Sequence, residues 1–308
     1  MSDKGVITLR TVALAALVLL LSHAETLFAQ ELVPRAYWPS PVGTNVLVLG
    51  YQYSSGDIVV DQSLPVVGVD STIDYGQISY QHTTDVLGRT ATFSIAQGWA
   101  DGDTTGFVDG ERVERRTVGA MDTVGRFAIN LMGAPAMDRE AFREMRANPR
   151  PIVGASLTVS APTGAYDKDR VVNLGGNRWA VKPALGAILH LTPSLMLETE
   201  AAAWIFQDND EFVGDTRKQD PVLGLQLHLV KRFRPGLWAA LDANFYTGGR
   251  TRVDGVENSD LQRNSRFGAT LVYPVAPGHA LRVSLSTGTV TENGGDYDLL
   301  GLAWIHIF

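Results

Sequence analysis

The chain contains no cysteine. That excludes disulfides, thiolate metal sites and a cysteine nucleophile, and it suits a polypeptide exported through an oxidising compartment. It also lacks any apolar run long enough to cross a bilayer as a helix, which takes roughly 20 residues. The longest run, Val12–Leu21, is about half that and breaks at Ser22 and His23. Mean hydropathy is only +0.01. A basic stripe is missing too. The net charge is −7, and removing residues 1–29 takes away two acids (Asp3, Glu25) and two bases (Lys4, Arg10), leaving it unchanged. Nucleic acid is therefore not an expected partner. Neither G-x-S-x-G nor H-E-x-x-H occurs, so the common hydrolase and zinc-protease signatures are absent.

What is present begins with an address. Lys4 and Arg10 precede the apolar run, and small residues follow it at Ala24 and Ala29. This is the pattern of a secretory signal peptide. Cleavage fits after Ala24 or Ala29, and the Leu27-Phe28-Ala29 site is preferred, giving a leader over 1–29 and an N-terminal periplasmic segment over 30–43.

From residue 44 to 308 the chain alternates apolar and polar residues with the period of a strand. About twelve such segments are legible, most of them about ten residues long. The clearest are 44–53, 90–99, 152–160, 195–206, 220–231, 237–246, 264–273, 280–289 and 297–308. Weaker ones are 71–83, 117–131 and 178–191. In 220–231, Leu223, Leu225, Leu227 and Leu229 share one face, and Gly224, Gln226 and His228 the other. A tilted strand of this length spans the hydrocarbon core, with one face for lipid and one for water. The chain ends on Phe308, an aromatic at the end of a strand; a closed barrel gives such a strand a partner, where an open sheet would leave an edge.

The connections sort by length. Short ones are 85–89, 192–194, 232–236 and 274–279. Long polar ones are 54–70, 100–116, 161–177, 207–219 and 247–263, with a shorter one at 290–296. Short periplasmic turns and long extracellular loops are the habit of outer-membrane barrels. One connection is unlike the rest. Residues 138–147 are helical in composition, with Asp138 as N-cap and Pro149 as stop, which predicts a short periplasmic helix. The expected fold is all-β: a single closed antiparallel transmembrane β-barrel of about 12 strands.

Several phrases carry a family likeness. They are Pro34-Arg35-Ala36-Tyr37-Trp38-Pro39, Gly133-Ala134-Pro135-Ala136, Ala161-Pro162-Thr163-Gly164-Ala165-Tyr166-Asp167, Asn173-Leu174-Gly175-Gly176-Asn177-Arg178-Trp179 and Leu261-Gln262-Arg263-Asn264-Ser265-Arg266. As a set they resemble a family of Gram-negative outer-membrane transporters linked to the MetA pathway of phenol degradation. The resemblance covers nearly all of 34–308. It implies passive uptake of small hydrophobic or aromatic solutes, with no catalytic motif to carry over.

The inward faces offer Arg126, Lys182, His190, Glu198, Glu200, Gln226, His228, Asp242, Asn244, Arg266 and Arg282 as lumen-lining residues. Folding each pair of strands about its loop sets Glu198 beside His228, Glu200 beside Gln226, Gln226 beside Asp242 and Asn244 beside Arg266. Such a lining either orients a solute in a narrow path or pairs internally and fills the lumen. The first reading is a channel; the second is a closed structural or surface-interaction barrel. A membrane-embedded hydrolase is a third, and it requires a Ser–His pair that the sequence does not display. No cofactor is implied. Asp208, Asp210, Glu211 and Asp215 form an acidic run able to attract Ca²⁺ but without the spacing of an EF-hand; Arg217 and Lys218 stand ready to pair with it or with lipopolysaccharide phosphates. Tyr51, Tyr53, Trp99, Tyr273, Trp304 and Phe308 fit aromatic girdles. The expected partners are outer-membrane lipid, lipopolysaccharide, small solutes and, through the strand ending at Phe308, the barrel-assembly machinery.

Overall fold

Twelve antiparallel wall strands close into a barrel. The structure, a computed structural model, describes residues 32–57, 67–108, 111–170, 173–292 and 296–308; the expected leader over 1–29 lies outside them. In chain order the strands are β1 (Asn45–Gly56), β2 (Val67–Val86), β3 (Arg89–Val108), β4 (Glu111–Ala120), β5 (Thr123–Met132), β6 (Ile152–Ala161), β7 (Ala180–Thr192), β8 (Leu195–Phe206), β9 (Asn209–Phe212), β10 (Asp215–Gln219), β11 (Val222–Arg234), β12 (Leu237–Gly248), β13 (Thr251–Val253), β14 (Val256–Glu257), β15 (Gln262–Ala276), β16 (His279–Glu292) and β17 (Tyr297–Ile307). Sequence neighbours pair around the wall. Closure comes from β1 against β17, with Val46 opposite Ile307 and Gly56 opposite Tyr297. β4 and β5 are one wall strand interrupted at Met121 and Asp122.

The leucine stripes face outward. Leu223, Leu225 and Leu229 are exposed, and Gln226, His228 and Val230 on the alternate face are buried. Leu241 and Phe245 of β12, and Phe267 and Leu271 of β15, repeat the pattern. Lipid is the solvent for these rows, so every backbone amide of the wall has to be paired around the ring. Tyr51, Tyr53, Trp99, Tyr273 and Phe308 are exposed on the outer wall, as the rings of an aromatic girdle are.

The periplasmic turns are tight. Leu87 and Gly88 take φ of 54° and 77°, the two-residue turn whose twist matches a hairpin, and Gly88 N–H donates to Asp85 Oδ1 at 2.7 Å. The helix, α1 (Arg139–Ala147), starts where its cap dictates: Asp138 Oδ1 accepts from the N–H groups of Glu140 and Ala141 at 2.9 and 2.8 Å. Its Phe142 and Met145 lean on the periplasmic mouth.

Three of the long loops are more regular than expected. Residues 100–116 are mostly strand, because β3 and β4 continue pairing as a hairpin, with Ala100 opposite Gly119 and Val108 opposite Glu111. The connections 207–219 and 247–263 each fold back on themselves. Their short strands then combine into a separate four-stranded sheet in the order β14-β13-β10-β9. Arg217, Lys218 and Gln219 of β10 lie opposite Val253, Arg252 and Thr251 of β13. Two polar loops thus satisfy each other's backbone, a pairing that needs both and that neither displays alone.

The lumen is layered, not uniformly polar. At the periplasmic end the inward residues Ala128, Ile152, Ile188, Met196, Val230 and Ala240 pack around Tyr37 and Met137. A belt of charged and amide side chains lies above. Nearer the extracellular end Ala180, Trp204, Val222 and Tyr246 form another apolar cluster.

Candidate functional site

The polar belt is built by register. β8 supplies Glu198 and Glu200, β11 Gln226 and His228, β12 Asp242 and Asn244, and β15 Arg266. Glu198 lies opposite His228 and Glu200 opposite Gln226; Asn244 lies opposite Arg266. Gln226, expected beside Asp242, faces Asn244, and His228 faces Asp242. The turn sits at Pro235 and Gly236, and β11 runs on through a bulge at Arg232–Arg234. Those extra strand residues shift the pairing by two positions and keep the inward face inward.

Each carboxylate of the belt has a cationic or histidine partner. Lys182 Nζ donates to Glu200 Oε1 at 3.2 Å, and Arg126 Nη2 lies 3.8 Å from Glu200 Oε2. His228 Nδ1 is 2.7 Å from Asp242 Oδ1, whose other oxygen accepts from Thr270 Oγ1 at 2.8 Å. Arg266, only 2% exposed, donates to Ser286 Oγ at 3.0 Å and covers the Tyr297 ring at 3.7 Å. Arg282 is half-buried on its inward row between Val272 and Ala303. His190 sits lower, half-buried, with its ring 6.1 Å from that of Trp38. Glu198 and His228 are neighbours, yet each has another partner. The partner of Glu198 comes from outside the wall.

That partner is Arg35, in the segment preceding β1. Residues 32–39 run inside the barrel. Val33 N–H donates to Gln226 Oε1 at 3.3 Å, and Arg35 N–H donates to Glu198 Oε2 at 2.6 Å. Arg35 Nε is 3.7 Å from Glu198 Oε1, a contact between charges and not a hydrogen bond. Arg126 donates to the Ala36 carbonyl at 3.3 Å. The Arg35 guanidinium stacks on Trp38 at 4.0 Å, and Arg232 approaches the same ring at 5.2 Å.

Tyr37 has a socket. Gly154 of β6 and Gly186 of β7 are register partners. A Cβ on Gly154 would fall 2.3 Å from Tyr37 Cδ1, and one on Gly186 would fall 2.1 Å from Cε2. The two glycines leave a slot in the wall that the ring fills. The ring is 5% exposed, and its hydroxyl is 2.9 Å from Ser156 Oγ.

Among the described residues two small cavities lie beside these groups. A cavity of about 10 Å³, space for one water, lies among Glu200, Trp204, Gln226, Asn244 and Tyr246. Another of about 10 Å³ lies along Tyr37 and Trp38. Trp204 points inward; Trp179 is exposed, and Trp238 is half-buried with Arg35 at 5.4 Å.

The acidic run outside the barrel is dispersed among protein partners. Asp208 pairs with Lys218; Asp210 Oδ1 accepts from Thr216 at 3.3 Å; Glu211 Oε2 accepts from Asn177 at 3.3 Å; Asp215 begins β10 opposite Phe212. Among the described residues no three metal-ligating side chains of His, Asp or Glu converge. Arg217, offered above to lipopolysaccharide, is 1% exposed with its guanidinium 5.0 Å from the Phe212 ring.

Arg35, Tyr37, Trp38 and Asp122 carry contacts that strand alternation does not reveal. The first three stand together in the Pro34–Pro39 phrase, where an arginine and two aromatics outside any alternating segment were the signal. Asp122 accepts from Gly164 N–H at 2.8 Å and Gly176 N–H at 2.9 Å, and so ties the 161–177 loop to the break between β4 and β5. Its signal was the weak alternation of 117–131.

Comparison with solved structures gives the same architecture. An outer-membrane channel from Pseudomonas putida F1 superposes with a TM-score of 0.75 at 24% identity, covering 90% of this chain and 100% of that one. The β domain of the Bordetella autotransporter BrkA follows at 0.51 and 11% identity, covering 86% and 100%. No protein of curated function matches. The barrel is an outer-membrane protein. A family model described as "Putative MetA-pathway of phenol degradation" matches residues 50–302, and the chain belongs to that family.

Proposed function

We propose that the barrel admits small hydrophobic or aromatic solutes by facilitated diffusion, and that the segment 32–39 is its gate. One observation carries this. The segment is held by side-chain contacts to the lumen wall, through Gln226, Glu198, Ser156 and Arg126, and is not woven into the sheet. Such contacts separate without opening the wall. Once the segment leaves, Ala128, Ile152, Ile188, Met196 and Val230 line an apolar passage, suited to a solute with little hydration to lose. The belt above it offers paired charges and amides that orient polar substituents. The likeness to the Pseudomonas putida outer-membrane channel and the family's link to phenol degradation support the same reading.

The closed structural barrel is the second reading, favoured by the small cavities of about 10 Å³, one along the segment and one among the belt residues. A hydrolase has less support: His228 is bonded to Asp242 and His82 to Asn45, not to a serine hydroxyl. The exposed Phe308 beside the closing strand is the feature the assembly machinery would meet. Uptake of a radiolabelled monoaromatic by lipopolysaccharide-bearing cells distinguishes the readings. Expression of the barrel should raise the initial rate, and a chain lacking residues 32–38 should raise it further. Rates equal to barrel-free cells for both forms sink the channel reading.

A further inference from the structure

The periplasmic rim carries a cluster of cations of which only Arg232 touches the gate, over the Trp38 ring at 5.2 Å, and it also donates to the Pro193 carbonyl. An open cavity of about 350 Å³ lies between α1 and the turns after β7 and β11, lined by Arg143, Arg146, Pro193, Arg232, Phe233 and Arg234. No carboxylate lines it. Among the described residues no ion pair joins these four arginines to an acid, although Glu140 and Glu144 stand on the same helix. Arg146 and Arg232 are close enough for their like charges to repel, and Arg232 Nε is buried without a partner. A helix C-terminus attracts basic side chains, which accounts for Arg146 in the last turn. It does not account for Arg232 and Arg234 on a strand end.

The surroundings fix the depth of the cluster in the membrane. Lys231 and Phe233 continue the outward row of Leu223, Leu225 and Leu229; Phe233 is 60% exposed, and Lys231 Nζ donates to Ser194 Oγ at 2.8 Å. The Arg234 guanidinium lies 5.8 Å from the ring of Tyr273, itself 49% exposed. An exposed Tyr and Phe beside cationic tips mark the level of lipid headgroups.

We propose that this cavity binds the phosphate of an anionic phospholipid of the periplasmic leaflet, with Phe233 against the acyl chains and the guanidiniums of Arg143, Arg146 and Arg234 on the headgroup. Guanidinium forks match phosphate oxygens two at a time, and basic pockets at helix or barrel rims select anionic headgroups. A free phosphate or phosphomonoester shares this chemistry, and the test separates the two sources.

The test uses the purified full chain in nanodiscs and native mass spectrometry. The probes are phosphatidylglycerol and cardiolipin against phosphatidylethanolamine, with inorganic phosphate as a separate arm. The wild type should retain the anionic lipids over phosphatidylethanolamine. R143Q/R146Q/R234Q should lower that retention about a hundredfold, from roughly fivefold per basic residue near the leaflet. R112Q/R115Q, in the extracellular β3–β4 hairpin, should leave it unchanged. Heat-modifiability on gels reports whether the triple variant is folded, and the wild-type lipid preference stands as a test without it. Equal retention of anionic and zwitterionic lipid by the wild type overturns the proposal. So does a triple variant that is folded and retains lipid like the wild type. Binding of inorganic phosphate with no lipid preference also overturns it and assigns the cavity to a free anion.

Discussion

Replacing Tyr37 with alanine should open the barrel. The ring is 5% exposed and fills the Gly154–Gly186 slot, and its hydroxyl meets Ser156 Oγ at 2.9 Å. Truncating a buried aromatic to alanine costs about 3–5 kcal/mol. The displaced segment would be hydrated and loses less, so about 3 kcal/mol is a fair figure for the docking equilibrium. At about 1.4 kcal/mol per tenfold, the undocked population rises about 150-fold. Tyr37→Phe keeps the ring and forfeits one hydrogen bond, about 1 kcal/mol or roughly fivefold. Gly186→Ala reaches the same end from the wall: its Cβ would stand 2.1 Å from the Tyr37 ring, expelling it with the tyrosine intact. Planar-bilayer recording measures the open time directly. The expected order is Tyr37→Ala and Gly186→Ala far above Tyr37→Phe, and Tyr37→Phe slightly above wild type. Open times unchanged in Tyr37→Ala, or Tyr37→Phe matching Tyr37→Ala, refute the socket argument.

Other consequences follow from single contacts. Glu198 is 4% exposed and its charge partner is Arg35; Arg35→Ala should destabilise the docked form by about 3–5 kcal/mol by stranding a buried carboxylate, and adding Glu198→Gln should recover most of it in a thermal-shift cycle. Asp122→Ala removes the acceptor of two loop amides, so hydrogen exchange at Gly164 and Gly176 should quicken at least tenfold while β7 and β8 stay protected. Partial desolvation, then Asp296 and Asp70, push the Asp57 carboxyl up to about 6, although the residue keeps exposed surface. Its folded form therefore favours the proton: the loop is free of this penalty below the ordinary carboxylate range and weakened as pH rises through about 6. Exchange of the Asp57 amide, which donates to the Asp296 carbonyl at 2.9 Å, corrected for intrinsic rates, should be better protected at pH 5 than at pH 7.5. Asp57→Asn should erase that difference, and a difference that persists in the variant refutes the assignment.

The barrel wall was legible because its signal is local. Each strand states its own two faces, and Leu223–Leu229 or Leu237–Phe245 suffice to orient it. Asp138 marked the helix start by its own side chain. Register was legible only where a loop is symmetric: 207–219 folds about its centre, while the bulge at Arg232–Arg234 displaced Gln226 from Asp242. The gate was not legible because its contacts span the chain. Arg35 meets Glu198 at a separation of 163 residues and Val33 meets Gln226 at 193, and no period announces such pairs. The apolar layer had the same defect: Ile152, Ile188 and Met196 sit on faces expected to be wet, and only the arrival of Tyr37 makes them a core. The four-stranded outer sheet needs two loops that are silent about each other.

The claim that a displaceable segment plugs the lumen is tested most directly by tethering it. The chain has no cysteine, so V33C/Q226C can be bridged free of background by a short bis-methanethiosulfonate, which spans the gap that the Gln226 side chain fills in reaching the Val33 amide. Cross-linked barrels in liposomes should show no swelling with small solutes, and reductant should restore it to the untethered level. A cross-link that forms and leaves swelling unchanged, or one that does not form at all, contradicts the account.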